Sequence, residues 1–118
     1  MADLSSPLPG IDVTSGLPRV AGNKKLYLKL LRMVAAEAPQ TKEKLRAAIA
    51  AGDTHETREL AHSLKGSSGN LSLTNVQAAA LRLESAAKAE DIPSLGQRLN
   101  ELESALDDFV AVVATLED

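Results

Sequence analysis

Leu95, Leu99, Leu102, Leu106, Phe109, Val113 and Leu116 recur at alternating steps of four and three residues. This spacing returns an apolar side chain to one face of a helix at every turn, and it cannot be laid onto a strand, whose faces alternate at every second residue. A helix with so long a seam must bury it against other helices, as in a bundle. The same seam would serve to join two copies, but a four-helix core needs one in any case, so it is assigned to the core. No segment shows a period-two alternation or a β-branched run long enough for a strand. The expected fold is all-α, an antiparallel four-helix bundle with a short amino-terminal helical flap.

The remaining elements follow from caps and breaks. Residues 1–10 carry serine and proline breaks and Gly10, and read as a loose leader or linker, which leaves 11–118 as the domain. Gly16 and Pro18 limit Ile11–Arg19 to a short helical turn. Asn23 is a plausible N-cap for a helix from Lys24 to about Ala38, with Leu26, Leu30 and Val34 as its stripe. Pro39 predicts a break, followed by a helix to Ala51 with Leu45 and Ile49 inward, ended by Gly52. Asp53 with Glu56 forms a capping-box-like start for a helix to about Gly69 or Asn70. Thr74 is expected to cap the next helix, whose Val76, Ala79, Ala80, Leu83 and Ala87 make a narrow stripe that permits close approach. A turn at Glu90-Asp91 leads to the seamed helix, with Asp91 as cap and Pro93 in its first turn.

Within the helix that starts at Asp53, Leu60, Ala61, Leu64, Ser68 and Leu71 fall on one side and must face the core. His62 then points away from it. Lys65, Gly66 and Gly69 project to the same outer face, with Arg58 one turn earlier. A glycine inside a helix costs roughly 1 kcal/mol relative to alanine. Two of them on an exposed face have no packing rationale, and close approach by another molecule supplies one. His55 shares the face, but seven residues span about 10 Å along a helix, too far for one tetrahedral ion, so no metal site is expected. Ser67 and Ser68 are expected toward the packed side, hydrogen-bonding back to the preceding turn instead of serving as nucleophiles.

His62-Ser63-Leu64-Lys65-Gly66-Ser67-Ser68 resembles the phospho-accepting motif of histidine-containing phosphotransfer (HPt) domains of bacterial phosphorelays. The likeness extends upstream through Pro9-Gly10-Ile11-Asp12, Gly16-Leu17, Gly22-Asn23 and Leu26-Tyr27, which look like the entry segment of such modules at the ends of hybrid sensor kinases. It extends downstream through Leu83-Glu84, the following alanines and Glu90-Asp91. The family often has glycine ten residues after the histidine, where this chain has Ser72. The resemblance implies that a receiver-domain phospho-aspartate, with Mg²⁺ on the receiver, delivers its phosphoryl group to His62, and that a second receiver takes it on. Lys65 would offset phosphate charge, Gly66 and Gly69 would admit the partner's loops, and Arg58 and Glu59 would tune docking. It also implies response-regulator and hybrid-kinase partners, a monomer, and a cytoplasmic setting; the linker-like leader favours a module excised from a longer kinase over a stand-alone protein, and the sequence is compatible with both.

Composition is consistent with this. A chain of 118 residues, 44% hydrophobic, suits one domain with a modest core. A net charge of −3 and 2% aromatic content argue against nucleic acid. Without cysteine there is no disulfide or thiol chemistry. No apolar run reaches the ~20 residues that span a bilayer. A Gly-rich phosphate loop and an acidic cluster preorganised for Mg²⁺ are both missing, so no cofactor of the chain's own is expected and the rest of a phosphoryl-transfer site must come from a partner. Two competing readings remain: the phospho-accepting domain of a chemotaxis-type kinase, fed by ATP on an associated kinase, and a phosphate-independent helical adaptor. A kinase dimerisation domain fits less well, because Ser63 and Gly66 stand where that family has an acidic residue and a proline.

Overall fold

The computed structural model describes residues 2–117. A four-residue helix, α1 (Val13–Gly16), runs into a 3₁₀ turn (Leu17–Val20), and four long helices follow: α2 (Lys24–Ala50), α3 (Thr54–Asn70), α4 (Thr74–Lys88) and α5 (Ile92–Ala114). Three-residue connections at 51–53, 71–73 and 89–91 force neighbouring helices antiparallel. α3 packs most closely on α4, and the α4–α5, α5–α2 and α2–α3 contacts close the bundle, which measures 42 × 23 × 18 Å. The seam is buried along its whole length, from Leu95 to Val113 on α5 and on to Leu116 just past its end. The all-α bundle and its flap are thus as expected.

Local signals hold where they are strictly local. The Asn23 side chain accepts from the Leu26 amide at 3.0 Å, and Asp53 accepts from the Glu56 amide at 2.9 Å, so both helices begin on side-chain caps. The turn between α1 and α2 carries left-handed residues at Ala21 and Gly22.

Four expectations need correction. Pro39 does not break the chain: α2 runs through it. An interior proline costs on the order of 3 kcal/mol, but Leu31, Ala38 and Leu45, each at 2% exposure or less, recur every seven residues across it, so the core grips both halves in one register. The apolar line of α2 is also displaced. Leu26 is 40% exposed, Leu30 and Val34 are half-buried, and Tyr27 and Leu31 carry the buried face. Tyr27 sets this rotation by sending its hydroxyl to the Leu71 carbonyl at 2.5 Å, at the far end of α3. Thr74 is the first residue of α4 and not its cap. Leu73 holds the cap position without a side-chain bond, and the Thr74 amide and hydroxyl both donate to the Gly10 carbonyl, at 2.9 and 3.3 Å. A tertiary contact here does what a cap would do.

Residues 2–10, expected as a loose leader, are packed and hydrogen-bonded. Leu8 is buried, the Ala2 amide donates to Thr115 at 3.1 Å, and the Glu117 amide donates back to Ala2 at 3.1 Å. The segment lies across the carboxyl end of α5 and then pairs Ile11 with Leu73. Asp91 does occupy the cap position of α5, though without a side-chain bond; the Ser94 hydroxyl reaches its carbonyl instead, at 3.1 Å.

Candidate functional site

His62 lies well inside α3, two turns past Asp53, on a helix anchored inward by Thr57, Ala61, Leu64 and Ser68, all buried. The Thr57 hydroxyl donates to the Asp53 carbonyl at 2.8 Å and the Ser68 hydroxyl to the Leu64 carbonyl at 2.7 Å, so both buried hydroxyls are satisfied within the helix. With that face fixed, the His62 side chain is turned outward and stays 64% exposed. Ser67 also bonds back to Leu64, at 3.2 Å, but it is exposed and not on the packed side.

The residue that organises the site comes from α4. Because Ala79, Ala80 and Ala87 are small and buried on α4, the two helices come close enough for one carboxylate to bridge two residues of α3. Glu84 Oε2 stands 2.5 Å from His62 Nδ1, and Glu84 Oε1 accepts from Lys65 Nζ at 2.7 Å. The carboxylate is only 13% exposed. Lys65's hydrogen bond above all, with His62's added to it, holds Glu84 below the ordinary carboxylate range, against burial, which pushes the other way. An ionised carboxylate only accepts hydrogen bonds. His62 Nδ1 must therefore carry the proton, which in the neutral ring leaves the lone pair on Nε2.

In the sequence Glu84 stands out only within the family likeness, which does not reveal that it bridges His62 and Lys65. The available signal was its position next to Leu83, at the edge of the small-residue stripe. Lys65 is on the expected face but not free: it is paired with Glu84 and 29% exposed. The two glycines differ. A Cβ at Gly66 would meet nothing within 4 Å, so the surface one turn beyond His62 is open. A Cβ at Gly69 would stand 2.8 Å from Nε2 of Gln77, an exposed and flexible side chain that reaches over it from α4, so this glycine is covered where Gly66 is bare. Arg58, Glu59 and His55 are exposed, and their side chains make no ion pair or hydrogen bond among the described residues. No group of three or more His, Asp or Glu side chains is placed to hold a metal ion among the described residues, and no helix there is long and apolar enough to cross a membrane.

Ser72, at the glycine position of the motif, takes the left-handed conformation a glycine would adopt, φ +57°. Its carbonyl accepts from the Asp12 amide at 2.9 Å and its hydroxyl donates to Ser15 Oγ at 3.0 Å. The backbone path after α3 is kept, and the flap is attached to it.

Residues 29–112 match the family model described as Hpt domain. The chain is 30% identical over 113 residues to the sensor histidine kinase GacS of Pseudomonas protegens, a match that covers 96% of the chain and 12% of that protein's length. Its fold is similar to the crystal structure of histidine-containing phosphotransfer protein B from Pseudomonas aeruginosa, with TM-score 0.81, 22% identity, and coverage of 90% of this chain and 92% of the other. It is also similar to the HPT domain of a sensor hybrid histidine kinase from Shewanella, with TM-score 0.76, 24% identity, and coverage of 89% and 91%.

Proposed function

The chain belongs to the Hpt domain family, and from that premise we propose that His62 Nε2 accepts a phosphoryl group from the phospho-aspartate of one receiver domain and yields it to another. Members of this family are phosphorelay intermediates, phosphotransfer modules and not enzymes with a nucleotide site of their own. The observation that carries the assignment is the exposed imidazole whose Nδ1 is held by an ionised Glu84.

The Nε2 lone pair attacks phosphorus, the bond from phosphorus to the aspartyl oxygen breaks, and the aspartate carboxylate leaves with the electron pair. No proton has to move, because Nδ1–H stays on Glu84. The positive charge that develops on the ring is countered by the same carboxylate at 2.5 Å. Lys65 keeps Glu84 ionised and, three residues from His62, stands within reach of the incoming phosphoryl oxygens. Open backbone at Gly66 admits the partner's loop. Arg58 and Glu59 border this face and tune docking by charge. Mg²⁺ belongs to the receiver's phosphate site and not to this chain. The exchange would run on a single copy of the chain, on the cytoplasmic side, whether alone or within a hybrid kinase.

The test is transfer from phosphorylated receiver domains with Mg²⁺. Wild type is expected to gain acid-labile phosphate at His62, located by mass spectrometry. His62→Gln is expected to gain none while keeping its helical circular dichroism. Undiminished labelling of His62→Gln would sink the assignment, and labelling only from ATP with an associated kinase would replace the receiver as donor.

A further inference from the structure

The first half of α2 has a chemistry of its own, distinct from the His62 face. Lys24, Lys25 and Lys29 cluster within six residues, although the chain carries a net charge of −3. All three are exposed, with no ion pair or hydrogen bond to their side chains among the described residues, whereas Lys42 and Lys65 are both paired. Two of the few large exposed apolar side chains stand beside them, Leu26 at 40% and Met33 at 49%. These residues line a groove of about 1140 Å³, whose remaining lining includes the amino-terminal segment Asp3–Ser5 and Glu117.

Spacing gives the groove a pattern. Leu26 and Met33 are seven residues apart and share one face of α2, while Lys25 and Lys29, four apart, share the neighbouring face. An apolar stripe therefore runs beside a cationic one. The complementary surface is a helix with an apolar stripe and carboxylates along its flank, the helix-in-groove mode of recognition. Charge also discriminates against a flat anionic surface. Asp3 and Glu117 are part of the lining and would be pressed against lipid phosphates, whereas a single helix can meet them with a polar or basic residue.

We propose that this groove docks an acidic amphipathic helix of a separate partner protein, its carboxylates on Lys25 and Lys29 and its apolar stripe on Leu26 and Met33. His62 is level with the second half of α2, about 20 Å along the bundle from Lys29 at 1.5 Å per residue. Docking here leaves the imidazole accessible, and the site stands or falls independently of phosphotransfer.

The experiment titrates the isotope-labelled full chain with two synthetic peptides of about 18 residues, or five turns. Both carry one Leu/Met stripe, flanked by Glu in one peptide and by Gln in the other. The Glu peptide is expected to shift the amide resonances of residues 24–36 saturably, with affinity that falls as salt rises. Affinity is expected to drop at least tenfold for the Gln peptide, and likewise for the Glu peptide on the Lys25→Glu/Lys29→Glu variant, whose helicity and labelling at His62 should be unchanged. Equal affinity for the two peptides, shifts confined to other residues, or no saturable binding would overturn the proposal. So would co-sedimentation of the chain with phosphatidylglycerol vesicles without binding of the Glu peptide.

Discussion

Gly16 and Gly66 are both helical glycines, yet an added Cβ would meet opposite surroundings. At Gly16 it would collide with the Tyr27 hydroxyl and stand 2.8 Å from the Leu71 carbonyl; at Gly66 it would meet nothing within 4 Å. The first belongs to a closed polar latch, where Tyr27, wholly buried, bonds to Leu71 and the flap lies against Ser72. The second borders a charged, open surface where His62 is 64% exposed. Glycine in the latch is required by what the protein already packs there, whereas nothing the protein itself packs requires the glycine on the His62 face. The two regions lie about one to two turns apart on α3, and so they can be perturbed separately.

The sharpest test of the contrast is the largest effect. Gly16→Val is expected to lower stability in chemical denaturation by about 2–3 kcal/mol, since a backbone carbonyl and a buried ring cannot both withdraw, while acceptance of phosphate by the folded fraction persists. Tyr27→Phe should cost about 1–3 kcal/mol, because Leu71 would be left as a buried acceptor without its donor. This latch also has a pH signature. Burial first, and the Asp12 charge second, push the Tyr27 hydroxyl from 10.0 up to about 12. A raised folded value means that its contribution is complete below pH 10 and is lost between pH 10 and about 12. Alkaline unfolding should therefore separate wild type from Tyr27→Phe below that window and bring them together above it.

On the open face the effects move from stability to transfer. Gly66→Leu is expected to leave the unfolding midpoint unchanged or slightly raised, and to slow phosphoryl transfer from a receiver by about tenfold, equivalent to about 1.4 kcal/mol. A wild-type rate would show that nothing approaches Gly66. Glu84 gives the acid-side counterpart of Tyr27. Its lowered folded value stabilises above the ordinary 4.5 and is lost as pH falls through the folded value. The stability difference between wild type and Glu84→Gln should thus be present at pH 6 and shrink below pH 4. The smallest effect is expected for Ser72→Gly, within about 0.5 kcal/mol, because relief of the left-handed strain is offset by loss of the Ser15 hydrogen bond and by added backbone freedom in the unfolded chain.

What could be read from the sequence, and what could not, follows the range of the interactions. The seam of α5, the caps at Asn23 and Asp53 and the outward direction of His62 all depend on residues within about a turn of one another, or on a period repeated many times, so periodicity and cap chemistry determine them. The larger misses involve contacts remote in sequence. Pro39 lost to a core that holds Leu31 and Leu45 in register on either side. Thr74 is served by Gly10, 64 residues away. Tyr27 displaces the expected stripe by reaching Leu71, 44 residues on.

The same division runs through the candidate site. Sequence by itself determined an all-helical chain with an exposed histidine, followed by a lysine and a glycine at helical spacing. Only the tertiary structure decided that Glu84, 22 residues from His62, bridges His62 and Lys65, and that Gly69 packs under Gln77 while Gly66 stays open. The physical reason is that helical geometry places side chains around one axis, whereas the proton on Nδ1 and the room above Gly66 depend on how closely a second axis approaches. That distance is set by alanines on α4, whose effect appears only once the two helices have packed.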